Sequence, residues 1–507
     1  VKLLNEKARI FMQQGQLARA EQLFDSAILL NKQIPGFSKN KEKAYSYLYR
    51  SQLAHKQGLV SEAVTWCNMA LQELHFRFRW SRAEDLPADP QAVISPVAFF
   101  EVLKQKALLL QLQAAQTGNN KYLDQALRTW LLAVQTTAYI KASFDNDEAH
   151  LFFNESNHGF YKAAALAAAT LYETTGKEEY LEKYLQISEG FKGNVLYRNV
   201  QANAVRNDGV LPDSLLKQEA SLKQLLAVFT TRLNQLSSSE GSEQVQKRIT
   251  SLQFELSRLQ KSFERYPQYT QMRHPQRGTS VSVADIRRFL PAHTAAIQYL
   301  WCDSVLLVFT ATVKEAQLLK LAITPATQQQ LNQYLSCLYG TPEGLRFAGY
   351  ESAAQLYKHL FGTVSNGVHA KSSWIVFPDG PLNQLPFETL MPHPGRRRWL
   401  VESKTISYHY SFLLLLNQLP YPARMDTMFV AAPFAANGAS LPGGYLSALP
   451  FSIQETDAFA SVRLLNQGAT KQKFLASAGS SSLIHLATHA YANEEALGTG
   501  QTFVQFA

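Results

Sequence analysis

The sequence predicts a multidomain protein in which an all-α region of helical repeats and a long helical hairpin precede an α/β domain. Three observations support this fold class. The chain of 507 residues is too long for one hydrophobic core. Its N-terminal part repeats a spacing of glycine, alanine and aromatic residues, and its C-terminal part alternates short apolar runs with helical patterns. We place the domains at residues 1–205, 206–272 and 278–507.

Helical hairpins explain the repeated spacing in residues 1–205. After Gly15, and again after Gly58, the same offsets carry Ala20, Phe24 and Ala27, then Ala63, Cys67 and Ala70. Degenerate copies carry Ala126, Trp130 and Ala133, and then Leu181, Leu185 and Ser188 after Gly176. Glycine permits the tight turn, alanine lets paired helices approach closely, and the larger side chain fills the gap between them. The pattern resembles tetratricopeptide (TPR) repeats, which stack into a superhelix with a concave groove for protein or peptide recognition.

Two long helices are predicted for residues 206–272. Asp213 or Ser214 is a good N-cap, and a leucine stripe with helical spacing follows it. The polar segment "SSSEGSE" (237–243) interrupts the pattern, which then resumes as far as Tyr266. We therefore expect an antiparallel hairpin that bridges the repeats and the C-terminal domain.

An α/β domain is predicted from residue 278 onward. The short apolar runs "HTAAIQYLW", "SVLLVFTAT", "SSWIVFPDG" and "TMFVAAPF" are typical of strands, and helical stretches at 326–339 and 352–361 lie between them. This alternation indicates a partly parallel sheet covered by helices. Such sheets place functional groups at the carboxyl ends of their strands. Asp379 follows one of these strands, in a Pro-Asp-Gly turn.

Composition narrows the classes of function. The 49 basic and 40 acidic residues give a net charge of +9, which is dispersed except for the loop-like run at 396–398. Direct nucleic-acid binding is therefore not expected. No apolar run reaches the roughly 18 residues of a membrane span.

Cys67, Cys302 and Cys337 make no disulfide framework, so we expect a cytoplasmic protein. The alternative is the cell envelope, if a signal peptide or anchor lies outside this chain.

Two histidines stand out near the end of the chain, in "SSLIHLATHAYANEEA" (481–496). On one helix face, His485 and His489 would resemble a zinc-binding pair, but Leu486 replaces the glutamate and the segment is typical of a strand. We therefore expect no metal and no cofactor. His485 lies inside the apolar run and suits the core. His489 comes where the strand ends, which suits a general base that needs a nearby nucleophile.

An ordered set of motifs over roughly residues 210–507 resembles a CHAT domain, which is a caspase-like cysteine peptidase domain often preceded by TPR repeats. The motifs are "FPDGPLNQLPFETL" (377–390), "LVESKTISYHYS" (400–411), "FVAAPF" (429–434), "LPFSIQETDAF" (449–459) and "IHLATHAYANEE" (484–495). The resemblance implies that His489 is the catalytic base of a Cys-His dyad. It implies that His485 is an accompanying, non-catalytic histidine, and we add Asp379 as a further supporting candidate.

The cysteine partner is expected beyond this chain. The resemblance implies a cysteine on the next strand, in a motif of the type S-A-C-x-T, and the sequence stops at Ala507 before that strand. Cys302 lies in a turn between two predicted strands, and Cys337 lies in a predicted helix with apolar neighbours. Neither has the context of a nucleophile. We expect a fragment of a longer peptidase, and the alternative is a protein that naturally lacks the cysteine.

The resemblance implies a regulated cysteine endopeptidase that cleaves a protein partner in bacterial signalling or defence. Its TPR groove would dock the activator or the substrate. A sheet that lacks its last strand would expose an apolar edge, so a partner segment is expected to complete it. The alternative function is an inactive TPR-CHAT scaffold or adaptor that only binds proteins.

Overall fold

The structure is a computed structural model. It describes residues 1–32, 39–142, 147–192, 196–197, 200, 211–235, 239–266, 281–339, 347–392, 395, 398–417, 427–441, 444–456, 461–491 and 503–506. Part of the predicted connector (267–280), two of the arginines in the run at 396–398, and the loop "ANEE" after the histidine motif lie outside these ranges. Within them, no helix is long and apolar enough to cross a membrane.

The chain forms two compact units, and each is described by itself. Unit 1 comprises Val1–Val210 and Glu264–Asn417, and unit 2 comprises Leu211–Phe263 and Gln418–Ala507. These units differ from the predicted sequential domains, because the region 278–507 contributes to both. The predicted domain limits remain a prediction.

The N-terminal part of unit 1 is helical, as the sequence predicts. Its helices are α1 (Lys2–Gln13), α2 (Leu17–Lys32), α3 (Lys41–Lys56), α4 (Val60–Leu74), α5 (Pro96–Thr117), α6 (Asn120–Ala142), α7 (Asp147–Ser156), α8 (His158–Thr175) and α9 (Glu179–Phe191). Helices pack in consecutive pairs, α1 on α2, α3 on α4, α5 on α6 and α8 on α9. A glycine with positive φ stands between the two helices of each pair, for example Gly58 at 79°. This backbone conformation favours glycine because it has no Cβ.

The repeated small and aromatic positions form the core between paired helices. Phe24, Cys67 and Trp130 occupy equivalent positions, and each is at most 3% exposed. The alanines on either side of them are fully buried: Ala20, Ala27, Ala63, Ala70, Ala126 and Ala133. The spacing in the sequence therefore reflects packed interiors between the paired helices, as expected of helical hairpins.

Unit 1 also contains a five-stranded mixed sheet. Its strands are β1 (Thr294–Cys302), β2 (Val305–Ala311), β3 (Ala316–Ala322), β4 (Ser373–Phe377) and β5 (Thr405–Tyr408). The order is β3-β2-β1-β4-β5, with the first three strands antiparallel and β1, β4 and β5 parallel. The helices that follow α9 in this unit are α12 (Val283–Phe289), α13 (Pro325–Tyr339), α14 (Tyr350–Phe361), α15 (Asn366–His369) and α16 (Phe412–Leu416).

Unit 2 combines the helical hairpin with a smaller sheet. The hairpin is α10 (Asp213–Gln235) and α11 (Ser239–Ser262), which pack on each other. The remaining elements are β6 (Met428–Ala432), β7 (Ala439–Leu441), β8 (Gly444–Leu446), α17 (Phe451–Thr456), β9 (Val462–Leu465), α18 (Lys471–Ser477), β10 (Leu483–Leu486), β11 (Ala490–Tyr491) and β12 (Phe503–Val504). Three of the strands form a parallel sheet of order β10-β6-β9. Its central strand β6 is largely buried.

Candidate functional site

The two histidines lie on and just after the edge strand β10 of the parallel sheet in unit 2. His485 pairs with Val430 of β6, and the ladder continues one residue further, where the Ala487 amide donates to the Ala431 carbonyl at 3.0 Å. His489 follows at the carboxyl end of the strand. In sheets of parallel strands, this end is where functional groups gather. The strand predicted for "SLIHLATHA" is therefore present, and a helical zinc-binding face is not.

The side chain of His489 is oriented by a backbone carbonyl. Its Nε2 lies 2.8 Å from the carbonyl oxygen of Ser447, and its ring packs edge-on against Phe434 with 5.0 Å between centroids. A carbonyl oxygen only accepts, so Nε2 must carry the proton of this hydrogen bond. In the neutral imidazole, the lone pair then resides on Nδ1. Nδ1 is thus the atom that can accept a proton.

The backbone around His489 is also held in place. Its carbonyl oxygen accepts from the Gln505 amide at 2.9 Å, and the Thr488 hydroxyl donates to the Gln505 carbonyl at 2.6 Å. These bonds continue as the antiparallel pairing of β11 and β12. The histidine is therefore fixed on both sides of its Cα, which limits the orientations its ring can take.

The segment that carries Ser447 is tied to the same sheet. The Leu449 amide donates to the carbonyl of Phe434 at 2.7 Å, just after β6, and the Ser452 hydroxyl closes the turn onto the Leu449 carbonyl. The segment then continues into α17. Because β6 positions both this segment and the edge strand β10, the carbonyl and the imidazole keep a fixed relation.

His485 has a different environment. Its Nε2 lies 3.0 Å from Oε1 of Glu455 in α17, but the two atoms are not aligned as a hydrogen bond. The His485 side chain is 34% exposed and that of Glu455 is 56% exposed, so this contact is partly open to water. His485 thus links β10 to α17, whereas His489 binds the segment just before that helix.

Asp379 belongs to unit 1, where its carboxylate is fully engaged. Oδ2 accepts from the Trp301 amide at 2.8 Å, and Oδ1 lies 3.6 Å from Nζ of Lys192. Lys192 caps the end of α9 and also donates to the carbonyls of Tyr299 and Pro378, at 2.5 Å and 3.1 Å. Burial lowers the pKa of Lys192, and the negative charges of Asp379 and Glu189 oppose this shift. The observed role of Asp379 is to bind the turn after β4 to β1 and to α9.

All three cysteines of the chain lie in unit 1. Burial raises the pKa of the Cys67 thiol to about 12, and that of Cys302 also to about 12. A thiol with so high a pKa is protonated at neutral pH and is a poor nucleophile. Cys337 is half-buried on α13. No cysteine occurs in unit 2, which carries His489.

A metal site is not apparent in the described part of the chain, where no cluster of three or more His, Cys, Asp or Glu side chains has a metal-binding arrangement. The expectation that the protein needs no metal or cofactor remains a prediction. Of the arginine run at 396–398, the structure describes only Arg398, which is exposed.

Sequence reasoning missed the groups that orient the two histidines. Glu455 lies in the motif "LPFSIQETDAF", which the sequence reveals, but nothing in a single sequence pairs this glutamate with His485. Ser447 contributes a main-chain oxygen, which has no side-chain signature. Lys192 precedes the predicted connector and belongs to none of the recognised motifs.

Comparison with known proteins places the histidine motif in a recognised domain. Residues 350–506 match the family model described as the CHAT domain, which is less than half of the chain. The matched region begins at α14 and includes both histidines. The curated proteins searched contain no match to this chain. The match to residues 350–506 supports a relation to the CHAT family, which is itself related to caspase-like cysteine peptidases.

Proposed function

We propose that this protein is a regulated cysteine endopeptidase in which His489 is the general base of a Cys-His dyad. One observation carries the proposal: within the CHAT match, the Ser447 carbonyl binds Nε2 of His489 and leaves Nδ1 as the basic atom. This arrangement at a strand end suits a Cys-His pair in which a third group orients the imidazole.

The chemistry assigns each proton to an atom. A cysteine thiol beside Nδ1 transfers its proton to that nitrogen, and the thiolate attacks the carbonyl carbon of the scissile peptide bond. The imidazolium then donates from Nδ1 to the leaving amine nitrogen, and water later hydrolyses the acyl-enzyme. The Ser447 carbonyl keeps accepting from Nε2 throughout, and its negative end stabilises the imidazolium. The proposed nucleophile is the S-A-C-x-T cysteine that the resemblance implies beyond Ala507.

The helical hairpins of unit 1 suit the proposed regulation. Their stacked pairs and glycine turns support the proposal that they form a TPR-like groove, which docks an activator or a protein substrate. In unit 2, β10 lies at the sheet edge among the described strands, and its Leu483 and Ile484 are 42% and 45% exposed. Such an edge can pair with a further strand. We propose that a segment completing the sheet, from this protein or a partner, adds there.

The test uses the natural protein, with any sequence that follows Ala507, and a proteome-derived peptide library read by mass spectrometry. His489→Ala should lower the cleavage rate by about 10²–10⁴-fold, the usual contribution of a general base. His485→Ala is the matched control, since it removes a neighbouring imidazole whose Nε2 faces Glu455 instead. It should retain most of the activity.

Two results would contradict the assignment. Cleavage that survives His489→Ala would exclude it as the base, provided that the variant keeps the circular dichroism spectrum of the parent. Equal losses in the two histidine variants would indicate a general structural effect instead of a specific proton transfer.

The alternative is a non-catalytic scaffold that only binds proteins. The observation that favours it is that Cys67 and Cys302 are buried thiols with raised pKa values and are therefore poor nucleophiles. The scaffold predicts that the natural protein binds its partner without cutting it, and that His489→Ala changes nothing. If the coding sequence of the natural protein lacks the S-A-C-x-T cysteine, the scaffold is favoured over the peptidase.

A further inference from the structure

The connection between α4 and α5 is a long, ordered loop with no assigned role. It spans residues 75–95, whereas helix-helix connections usually take about two to eight residues. Its ends are joined by a bridge between His75 and Val93, by the Phe76 amide donating to the Ala92 carbonyl, and by the Ile94 amide donating to the Leu74 carbonyl. Long loops within compact domains that keep a defined conformation are commonly functional.

Buried polar groups hold the loop against the helices. Lys106 of α5 is fully buried, and its Nζ donates to the Asp85 carbonyl at 2.6 Å and to Oδ1 of Asn68 at 2.7 Å. The Asn68 amide in turn donates to the Ala83 carbonyl. The imidazole of His75 accepts from the Arg77 amide and contacts the Asp89 carbonyl at 3.1 Å.

The first part of the loop, "FRFRWSR" (76–82), presents cations outward. Phe78 is buried against His75, and Trp80 packs against the core. Arg77 and Arg79, which alternate with them in the sequence, are exposed. Phe76 is also 56% exposed. A rigid strip therefore combines two guanidinium groups with one aromatic ring.

Nearby carboxylates already form ion pairs or hydrogen bonds within the protein. Glu73 pairs with Lys43 at 2.8 Å, and Asp85 accepts from Ser81 and from the Arg82 amide. Among the described residues, the guanidinium groups of Arg77 and Arg79 have no carboxylate at ion-pair distance. Lys39 lies close enough that the positive charge of Arg79 adds to the effect of burial in lowering the pKa of Lys39. The strip is thus locally electropositive.

We propose that the strip formed by Phe76, Arg77 and Arg79 docks an acidic segment of a partner protein. Two carboxylates of the segment pair with the guanidinium groups, and an apolar side chain between them packs on the ring of Phe76. This binding would be additional to the proposed function. It involves no cleavage step, so its failure would leave the proposed function standing.

A peptide fits this strip better than a nucleic acid. Glu84, Asp85 and Asp89 are half-buried in the same loop, where they would repel an extended phosphate backbone. An acidic peptide can be short enough to contact the two arginines alone. Nucleic-acid binding is the competing outcome that the experiment separates.

The experiment measures fluorescence anisotropy of a labelled heptapeptide in which six glutamates flank one phenylalanine. Its glutamine counterpart and a short single-stranded oligonucleotide are the comparison probes. The acidic peptide should bind more tightly than the other two. Its affinity should fall as the salt concentration rises from about 50 to 300 mM, because exposed ion pairs are screened.

The decisive variant combines Arg77→Gln with Arg79→Gln, both at exposed positions; it removes the hydrogen bond that Nη1 of Arg79 donates to the Phe78 carbonyl of the same loop. Affinity for the acidic peptide should fall about five- to twentyfold, because each exposed pair contributes up to about fivefold. The matched control combines Arg128→Gln with Arg288→Gln, whose side chains are 68% and 81% exposed and already paired. It should bind like the parent. Phe76→Ala should weaken binding without changing its salt dependence.

Three outcomes would overturn the proposal. They are no measurable binding of the acidic peptide, equal binding of the glutamine peptide, and unchanged affinity in the Arg77 and Arg79 variant. An oligonucleotide that binds more tightly through the same two arginines would replace the acidic segment with a nucleic acid.

Discussion

Replacing Lys192 with methionine should destabilise unit 1 far more than replacing a lysine whose carboxylate partner is exposed to water. The Lys192 side chain is 5% exposed and its partner Asp379 is 14% exposed, so the pair is largely shielded from water. Lys192→Met keeps the length of the side chain but removes the ammonium group. Asp379 then has lost its cationic partner, and the carbonyls of Tyr299 and Pro378 lose a donor. Removing one partner of such a buried pair costs about 3–5 kcal/mol.

Lys162→Met is the matched control in the same unit. Its Nζ pairs with Asp303 at 3.0 Å, but the Asp303 side chain is 88% exposed. Water therefore solvates the aspartate whether or not the lysine is present. We expect this variant to lose at most about 1 kcal/mol.

Tryptophan fluorescence during urea unfolding measures the effect, because all 6 tryptophans of the chain lie in unit 1. The unfolding midpoint of Lys192→Met should fall by about 1–2 M urea, and that of Lys162→Met by a few tenths at most. Adding Asp379→Asn to Lys192→Met should recover part of the loss, since a neutral amide needs no counter-ion. Equal midpoints for the two lysine variants, or strict additivity with Asp379→Asn, would refute this reasoning.

Three further predictions follow from described contacts. Gly58→Ala should lower the free energy of unfolding of unit 1 by about 1–2 kcal/mol, because φ at this position is +79°, and no neighbouring atom would clash with the added Cβ. Gly58→Asn should lower it by less, and urea unfolding measures both variants. Cys67 and Cys302 should resist iodoacetamide at pH 8 until urea is added, and rapid native labelling of Cys302 by mass spectrometry would contradict its raised pKa. Hydrogen bonds from Ser81 and Arg82 hold the pKa of Asp85 at about 2, below its ordinary value. The stabilisation of loop 75–95 by these hydrogen bonds should therefore be complete above about pH 4 and be lost as the pH falls through about 2. We expect faster hydrogen exchange of the loop amides at that pH in the parent protein. The Asp85→Asn variant should show no such pH-dependent change.

The helical part was predictable because its signals are local. Glycine turns and buried alanines recur at fixed spacing, so a single sequence reveals each hairpin. Strands β1, β2, β4 and β6 were equally visible as short apolar runs. Strand β3, by contrast, was not singled out: it lies at the sheet edge, and several of its side chains are only partly buried. Partial burial weakens the apolar pattern on which the prediction depends.

The candidate site was predictable only in part. His489 stood out because small residues end its strand, and the motif order pointed to the CHAT family. The contact with Ser447 depends on tertiary structure and on a main-chain atom, so no residue pattern encodes it. The division into two units could not be predicted either, because unit 2 combines stretches that are far apart in the sequence. Sequence reading assigns domains as continuous segments and does not detect such an arrangement.

The strand order of unit 1 has a practical consequence for anyone who expresses the recognised domain alone. Residues 350–506 include β4 but exclude its neighbour β1, whose five residues Thr294–Gln298 pair with Ser373–Phe377. Cutting there would leave one whole side of a buried strand without hydrogen-bond partners and open to pairing with other copies. The excised piece would also lose the hairpin 211–263, which belongs to the same unit as β6 and β10. We expect such a fragment to aggregate, so the limits of sequence similarity are not the limits of a polypeptide that folds.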